Sequence, residues 1–215
     1  MANSIPFGWF GPLQQIIRAE IEALVKSESS GLKIDWAFIS AREGGERLDG
    51  YFPPANRSKS GVTIATGFDI GQRSKSDLER LVLSQVLVNK LSPYCGHTGS
   101  DAKEYVRKHP LNVTPAEARA IDKASKREAT ERLVRRYDAA SEVKFEALPA
   151  EAQTVIASVE FQYGSIQTKR NTFWLLVIAQ DWSAAVKKLR HFGDDYKTRR
   201  KKEADLLEGI VAADE

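Results

Sequence analysis

Between Arg42 and Gly71 the chain reads REGGERLDGYFPPANRSKSGVTIATGFDIG. The acids Glu43, Glu46, Asp49 and Asp69 and the threonines Thr63 and Thr66 share this one glycine- and proline-rich stretch. Cleavage of a glycosidic bond needs two carboxyl groups. One stays protonated and donates to the leaving oxygen; the other is ionised and activates water or stabilises an oxocarbenium-like transition state. Glu43 and Asp69 stand at the two ends of the stretch. A hairpin between them would bring them face to face, and the Thr63 hydroxyl on the returning strand could orient a water. Glu46 competes with Glu43, because Gly44-Gly45 allows a shift of register. Thr66 competes with Thr63, and Asp49 is a further candidate for the second acid. Strand alternation puts Thr63, Ala65 and Gly67 on one face, with Asp69 on the same parity.

The elements that must hold these residues follow from the pattern around them. Asp35 caps a short helix over Asp35–Arg42 whose apolar contacts are Trp36, Phe38 and Ile39, and Gly44-Gly45 ends it. Pro53-Pro54 forbids a helix, Asn56–Gly61 reads as an exposed turn, and Val62, Thr63, Ile64 and Thr66 are strand-like. Before this region, Pro12 opens an amphipathic helix carrying Leu13, Ile16, Ile17, Ile21, Leu24 and Val25. After it, helices are expected near 76–91, 101–108, 115–140, 149–163, 170–180, 182–191 and 196–211. Phe161, Trp174, Leu175 and Ile178 are the expected core of that helical part. Segregation of a small β region from a run of helices makes the fold class α+β.

Bulk properties narrow the function. With 215 residues and 42% hydrophobic content the chain can build one sizeable core or two small lobes. The formal net charge of +3 suits an anionic envelope polymer and argues against a nucleic-acid partner, since acids nearly balance bases. Two basic stretches, Lys126–Arg136 and Lys187–Lys202, read first as solvated helix faces of mixed charge, with attraction to such a polymer as the functional alternative. The single Cys95 forms no intramolecular disulfide, and Cys95 with His97, His109 and His191 shows no metal-ligand spacing. No metal and no cofactor is expected. MANSIPFGWFGPL lacks a basic n-region and an apolar core, and the longest apolar run, Phe173–Ala179, is far short of a membrane span. The expectation is synthesis in the cytoplasm without a signal peptide, and no stable membrane insertion.

Four blocks carry a resemblance. Glu43-Gly44, Tyr51 and Thr63-Ile64-Ala65-Thr66-Gly67 are similar to the EG…Y…TIGxG core of tailed-phage lysozymes. Val155–Gly164 resembles that family's central helix with its FQMG-like ending. Asp181–Ala185 resembles its W-x-E-A-A helix start, and Arg199–Glu203 its RR-x-x-E helix. The classical second acid comes about nine residues after the Glu and before the threonine, a place taken here by Pro53; an acid instead follows the threonine, at Asp69. That order is similar to the pesticin-type muramidases. The resemblance implies a lysozyme-like α+β fold, a small β-hairpin lobe beside a larger helical lobe with a cleft between them. It divides the chain into an N-terminal helical extension over 1–34 packed on a domain over 35–215, with β lobe about 43–75 and helical lobe about 76–215. It implies hydrolysis of the β-1,4 bond between N-acetylmuramic acid and N-acetylglucosamine. Glu43 is then the general acid, Asp69 the water-activating carboxylate and Thr63 the residue that places the water. Tyr51, Gln162 and Arg199 bind substrate, Arg199 by approaching Glu43. The partner is peptidoglycan and the place of action the periplasm. Arrival there is by holin-dependent release of an endolysin or by delivery of a toxin, with a cognate immunity protein possible in the second case and a monomer expected in both. From another class, the same fold would serve as a non-catalytic peptidoglycan-binding or virion structural module.

Overall fold

A computed structural model describes residues 31–42, 45–53 and 60–212. Glu43, Gly44, residues 54–59 with most of the turn expected over Asn56–Gly61, and the helix expected from Pro12 lie outside the described residues.

Helix α1, Trp36–Ser40, starts where the Asp35 carboxylate accepts from Phe38 N at 2.8 Å. Three short strands follow: β1 Arg47–Tyr51, β2 Thr63–Ala65 and β3 Phe68–Asp69, antiparallel in the order β1-β2-β3. The β2–β3 connection is tight because Ala65 and Gly67 both take left-handed backbone, at φ 53° and 96°. Tyr51 pairs with Thr63, and Thr63 pairs with Asp69. Directly opposed residues in antiparallel strands share a face, so Tyr51, Thr63 and Asp69 form one row across the sheet.

The helices are α2 Lys75–Arg80, α3 Gln85–Leu91, α4 Gly99–Lys108, α5 Pro115–Ala140, α6 Ala150–Tyr163, α7 Ile166–Lys169, α8 Asn171–Ile178, α9 Trp182–Arg190 and α10 Lys197–Val211. The single helix expected over 76–91 is two. Val82 adopts φ 56°, and Ser84 restarts the chain by accepting from Leu87 N at 3.3 Å. A serine cap inside an apolar-periodic run offers the backbone a competing partner, and here the cap wins. Leu175 was expected in the core and is 53% exposed. α8 turns Phe173, Trp174 and Val177 inward, which leaves position 175 on the opposite face of the helix.

Two apolar cores form. One gathers Ile64, Phe68 and Ile70 with Leu78, Leu87, Leu91 and the first half of α5. The other gathers Ile39 with Leu133 and Tyr137 of α5 and the helices from α6 to α10. The division therefore falls inside α5, whereas the sequence starts the helical lobe near Ser76: α2, α3 and α4 belong with the sheet. Leu32 and Ile34 pack on the second core, where Lys33 N also reaches Gln153 Oε1 at 2.7 Å. α5 has 26 residues, about 39 Å of helix. Thr114 and Glu117 close a capping box ahead of it, with Pro115 in its first turn. Ala118, Ile121 and Ala124 enter the sheet-side core and Leu133 and Tyr137 the helical core.

Because α5 serves both cores, a cavity cut at either end should destabilise the whole protein. Ile121→Ala and Leu133→Ala should each cost about 2–5 kcal/mol, read by urea unfolding. A loss below 1 kcal/mol at either site, roughly what an exposed substitution gives, would contradict this packing.

Candidate active site

The cleft is built between the β2–β3 turn, α5, the end of α6 and the start of α10. Its main hollow, about 370 Å³, is bounded by Thr66, Gly67 and Phe68 on one side and by Phe161, Gln162 and Tyr196 on another, with Arg42 and Arg199 at its end. Past Phe68 and Arg132 it continues into a second hollow of about 340 Å³ that contains Asp69 and Gln72. A larger hollow of about 920 Å³ lies against α5 between Trp36 and Val134 and shares Asp122 and Lys126 with the cleft. It contains none of the site residues expected from the sequence, and size alone assigns it no chemistry.

Asp69 is half-buried and tied to backbone. Its two oxygens accept from Gly61 N at 3.2 and 3.1 Å, and Oδ1 also accepts from Gln72 N at 3.3 Å. This seat exists only because positions 61 and 71 are glycine. A Cβ on Gly61 would collide with Gly71 Cα and with Asp69 Oδ1; one on Gly71 would collide with the His97 carbonyl. Thr63 is buried, and its hydroxyl donates to the Gly61 carbonyl at 3.2 Å. Thr66 lies on the cleft instead, with its N–H on Asp122 Oδ1 at 3.1 Å and its hydroxyl on Asp122 Oδ2. Tyr51 stands at the β1 end of the Tyr51–Thr63–Asp69 row, with the Arg47 guanidinium 4.0 Å over its ring. Asp49 is exposed and forms a backbone bridge to Asn112; Glu46 is exposed.

At the other end of the cleft a group of buried charges organises the wall. Glu203 is fully buried and accepts from Arg199 Nε at 3.1 Å, from Ser158 Oγ at 2.5 Å and from Arg200 Nη1. Arg199 also donates to Ser158 O at 2.9 Å and to the Arg42 carbonyl at 3.4 Å. That carbonyl belongs to the peptide joining Arg42 to Glu43. Arg200, buried, reaches Asp194 Oδ2 at 3.0 Å and donates to Gln162 Oε1. Arginine has no acceptor, so the Gln162 oxygen must face it. The amide N–H₂ then has no partner among the described residues. The Arg42 guanidinium sits 3.4 Å over the Phe38 ring. Burial pulls its pKa down, Glu203 opposes this, and the neighbouring Arg199 adds to the depression. Sequence reasoning found Arg199 and missed its partners. The signal was present: Glu203 follows Arg200 by three and Arg199 by four, the spacing at which helical side chains meet.

Among the described residues no group of three or more His, Cys, Asp or Glu is placed to hold a metal, and no helix is long and apolar enough to cross a membrane.

A three-stranded antiparallel sheet and a helical lobe, joined by one long helix with a polar cleft between them, define a lysozyme-like α+β fold. The family model for Pesticin, described as a bacterial toxin homologue of phage lysozyme, C-terminal part, matches residues 33–183, and the chain belongs to this family. No curated protein matches the chain. The matched stretch includes Glu43, Tyr51, Thr63, Asp69 and Gln162, while Arg199 lies beyond it.

Two outcomes test the buried charges. Glu203→Ala leaves two guanidinium groups without their shared carboxylate and should cost about 3–5 kcal/mol, measured by chemical unfolding. Burial pushes the Asp194 carboxyl up, but hydrogen bonds from the Tyr163 hydroxyl and Arg200, with the Arg200 charge, outweigh it and hold its pKa below the ordinary value. A depressed folded pKa stabilises above the unfolded value and loses that contribution as pH falls through the folded one. Asp194→Asn should therefore be less stable than the parent at neutral pH, with the gap narrowing below about pH 4. A gap that widens in acid would reverse the sign.

Proposed function

We propose that the protein is a cell-wall-lytic muramidase that hydrolyses the β-1,4 bond between N-acetylmuramic acid and N-acetylglucosamine in peptidoglycan. One observation carries this reading. The cleft has, at one end, an aspartate seated on backbone N–H groups and paired across strands with Thr63, and at the other an arginine held against the peptide that leads into Glu43. Membership of a family of lysozyme homologues supports the substrate class.

In this reading Glu43 is the general acid. Its proton passes to the glycosidic oxygen as the bond to the anomeric carbon breaks. Asp69 takes a proton from the water that attacks that carbon, leaving a reducing muramic-acid end. Thr63 is buried with its hydroxyl on the Gly61 carbonyl, so its part in placing the water is to hold the backbone seat of Asp69. Arg199 fixes the backbone entering Glu43, Tyr51 contributes to substrate binding beside Thr63, and the Gln162 N–H₂ donates to a substrate carbonyl. The protein acts as a toxin or endolysin on the wall in the periplasm.

Glu43→Gln keeps the shape and removes the transferable proton. Lysis should fall by about 10²- to 10⁴-fold with little change in melting temperature. Asp69→Asn should lose turnover to a similar degree while still binding sacculi, and Asp49→Asn should stay close to the parent. An active Glu43→Gln beside an inactive Glu46→Gln would move the acid to Glu46. Mass spectrometry of digested peptidoglycan checks the reaction itself. Reducing muramic-acid ends are expected; anhydro ends would make the protein a lytic transglycosylase, and free stem peptides would overturn the glycosidase reading.

A further inference from the structure

We propose that the ring of Tyr196 is a platform on which one sugar ring of the bound glycan strand stacks, on the helical wall of the cleft. The inference rests on the muramidase reading for the identity of the glycan and on the structure for the platform.

Tyr196 is 53% exposed, and it is the one large aromatic exposed to that degree among the described residues. It is also on the cleft, in the hollow lined by Phe161, Gln162 and Arg199. The other rings of this hollow already have partners: the Arg73 guanidinium lies 4.5 Å over Phe68, and Phe161 meets Trp36 edge to face with centroids 5.9 Å apart. No cation and no second ring lies over Tyr196 among the described residues. An apolar ring left uncovered in a concave polar site is a surface whose burial by a ligand is favourable.

The ring is presented from a fixed backbone. Tyr196 N donates to Asp194 Oδ1 at 3.1 Å, and its carbonyl accepts from Arg200 N at 3.0 Å at the start of α10. Asp194 and Arg200 are themselves held together in the buried charge group. Tyrosine has few rotatable bonds, so little conformational freedom is lost when a ligand covers it. A pyranose offers the matching surface, a face of C–H groups rimmed by polar substituents. The phenol hydroxyl stays in water or meets that rim.

Position decides which kinetic parameter should respond. Tyr196 borders the main hollow of the cleft and Asp69 the second hollow beyond Phe68. A sugar stacked on Tyr196 is therefore held away from Asp69 and is gripped alike in ground state and transition state. Its loss should weaken substrate binding and leave the bond-breaking step unchanged.

The test compares Tyr196→Ala, Tyr196→Phe and Tyr196→Trp with the parent on purified sacculi, by lysis kinetics and by co-sedimentation without turnover. Tyr196→Ala should raise KM about tenfold with kcat within about twofold, and should weaken co-sedimentation to the same extent. Tyr196→Phe and Tyr196→Trp should restore both. Unchanged KM in Tyr196→Ala, a Tyr196→Phe as poor as Tyr196→Ala, or a loss confined to kcat would overturn the platform. The two readings fail separately. A parent that releases no reducing muramic-acid ends sinks the muramidase assignment, while co-sedimentation still decides the platform: parent binding no tighter than Tyr196→Ala refutes it.

Discussion

α5 is shared by two apolar cores, and this sharing governs the rest of the molecule. A helix that buried only one end would leave the sheet with too little surface to fold against, since three strands of two to five residues cannot sustain a core alone. Ile121 and Ala124 supply that surface, and the Arg73–Glu128 and Lys90–Glu117 ion pairs fasten the loop before α2 and helix α3 to the same stretch. Leu133 and Tyr137 then carry the helix into the second core, where the Tyr137 hydroxyl reaches the Val177 carbonyl at 3.0 Å. The cleft is the space the two cores leave beside this common helix.

Buried charge is the second constraint. Glu203, Arg199, Arg200 and Asp194 are mutually satisfied in the helical lobe. An apolar replacement of similar volume would often be no less stable, so these groups are better understood by what they orient than by what they stabilise. They turn the Gln162 oxygen to Arg200, leaving its N–H₂ without a partner among the described residues, point Arg199 at the Arg42 carbonyl, and anchor the backbone of Tyr196. One fully buried carboxylate thus organises much of one cleft wall.

Much of this was legible in the sequence where local chemistry decides the outcome. The α5 start is written in Thr114-Pro115-Ala116-Glu117, and the α1 start in Asp35. The Thr63–Asp69 parity emerges as a paired row because Ala65 and Gly67 absorb the turn without shifting the register. What could not be read depends on contacts between distant residues. Ser84 looked like an ordinary helix position, and its cap is decisive only once Leu81 and Leu87 are buried together. Leu175 sits in an apolar run whose periodicity does not say which face turns inward. The Gly61–Gly71 contact, without which Asp69 has no seat, joins residues ten apart through backbone alone and leaves no hydrophobic signature.

The row across the sheet and the arginine at the far end belong to different bodies. Thr66 is hydrogen-bonded to Asp122, so the hairpin tip travels with the first half of α5. Ile39 and the Arg42 carbonyl travel with the helical core. Between the two halves lies Thr130, whose hydroxyl returns to the Lys126 carbonyl at 2.8 Å, a back-bond of the kind that bends helices. A bend at that point would change the span from the end of α1 to Asp69 without altering the packing of either core. Separation of two carboxyl groups is what divides inversion from retention at an anomeric centre. In the proposed mechanism that separation would depend on the curvature of a helix that carries neither carboxyl group.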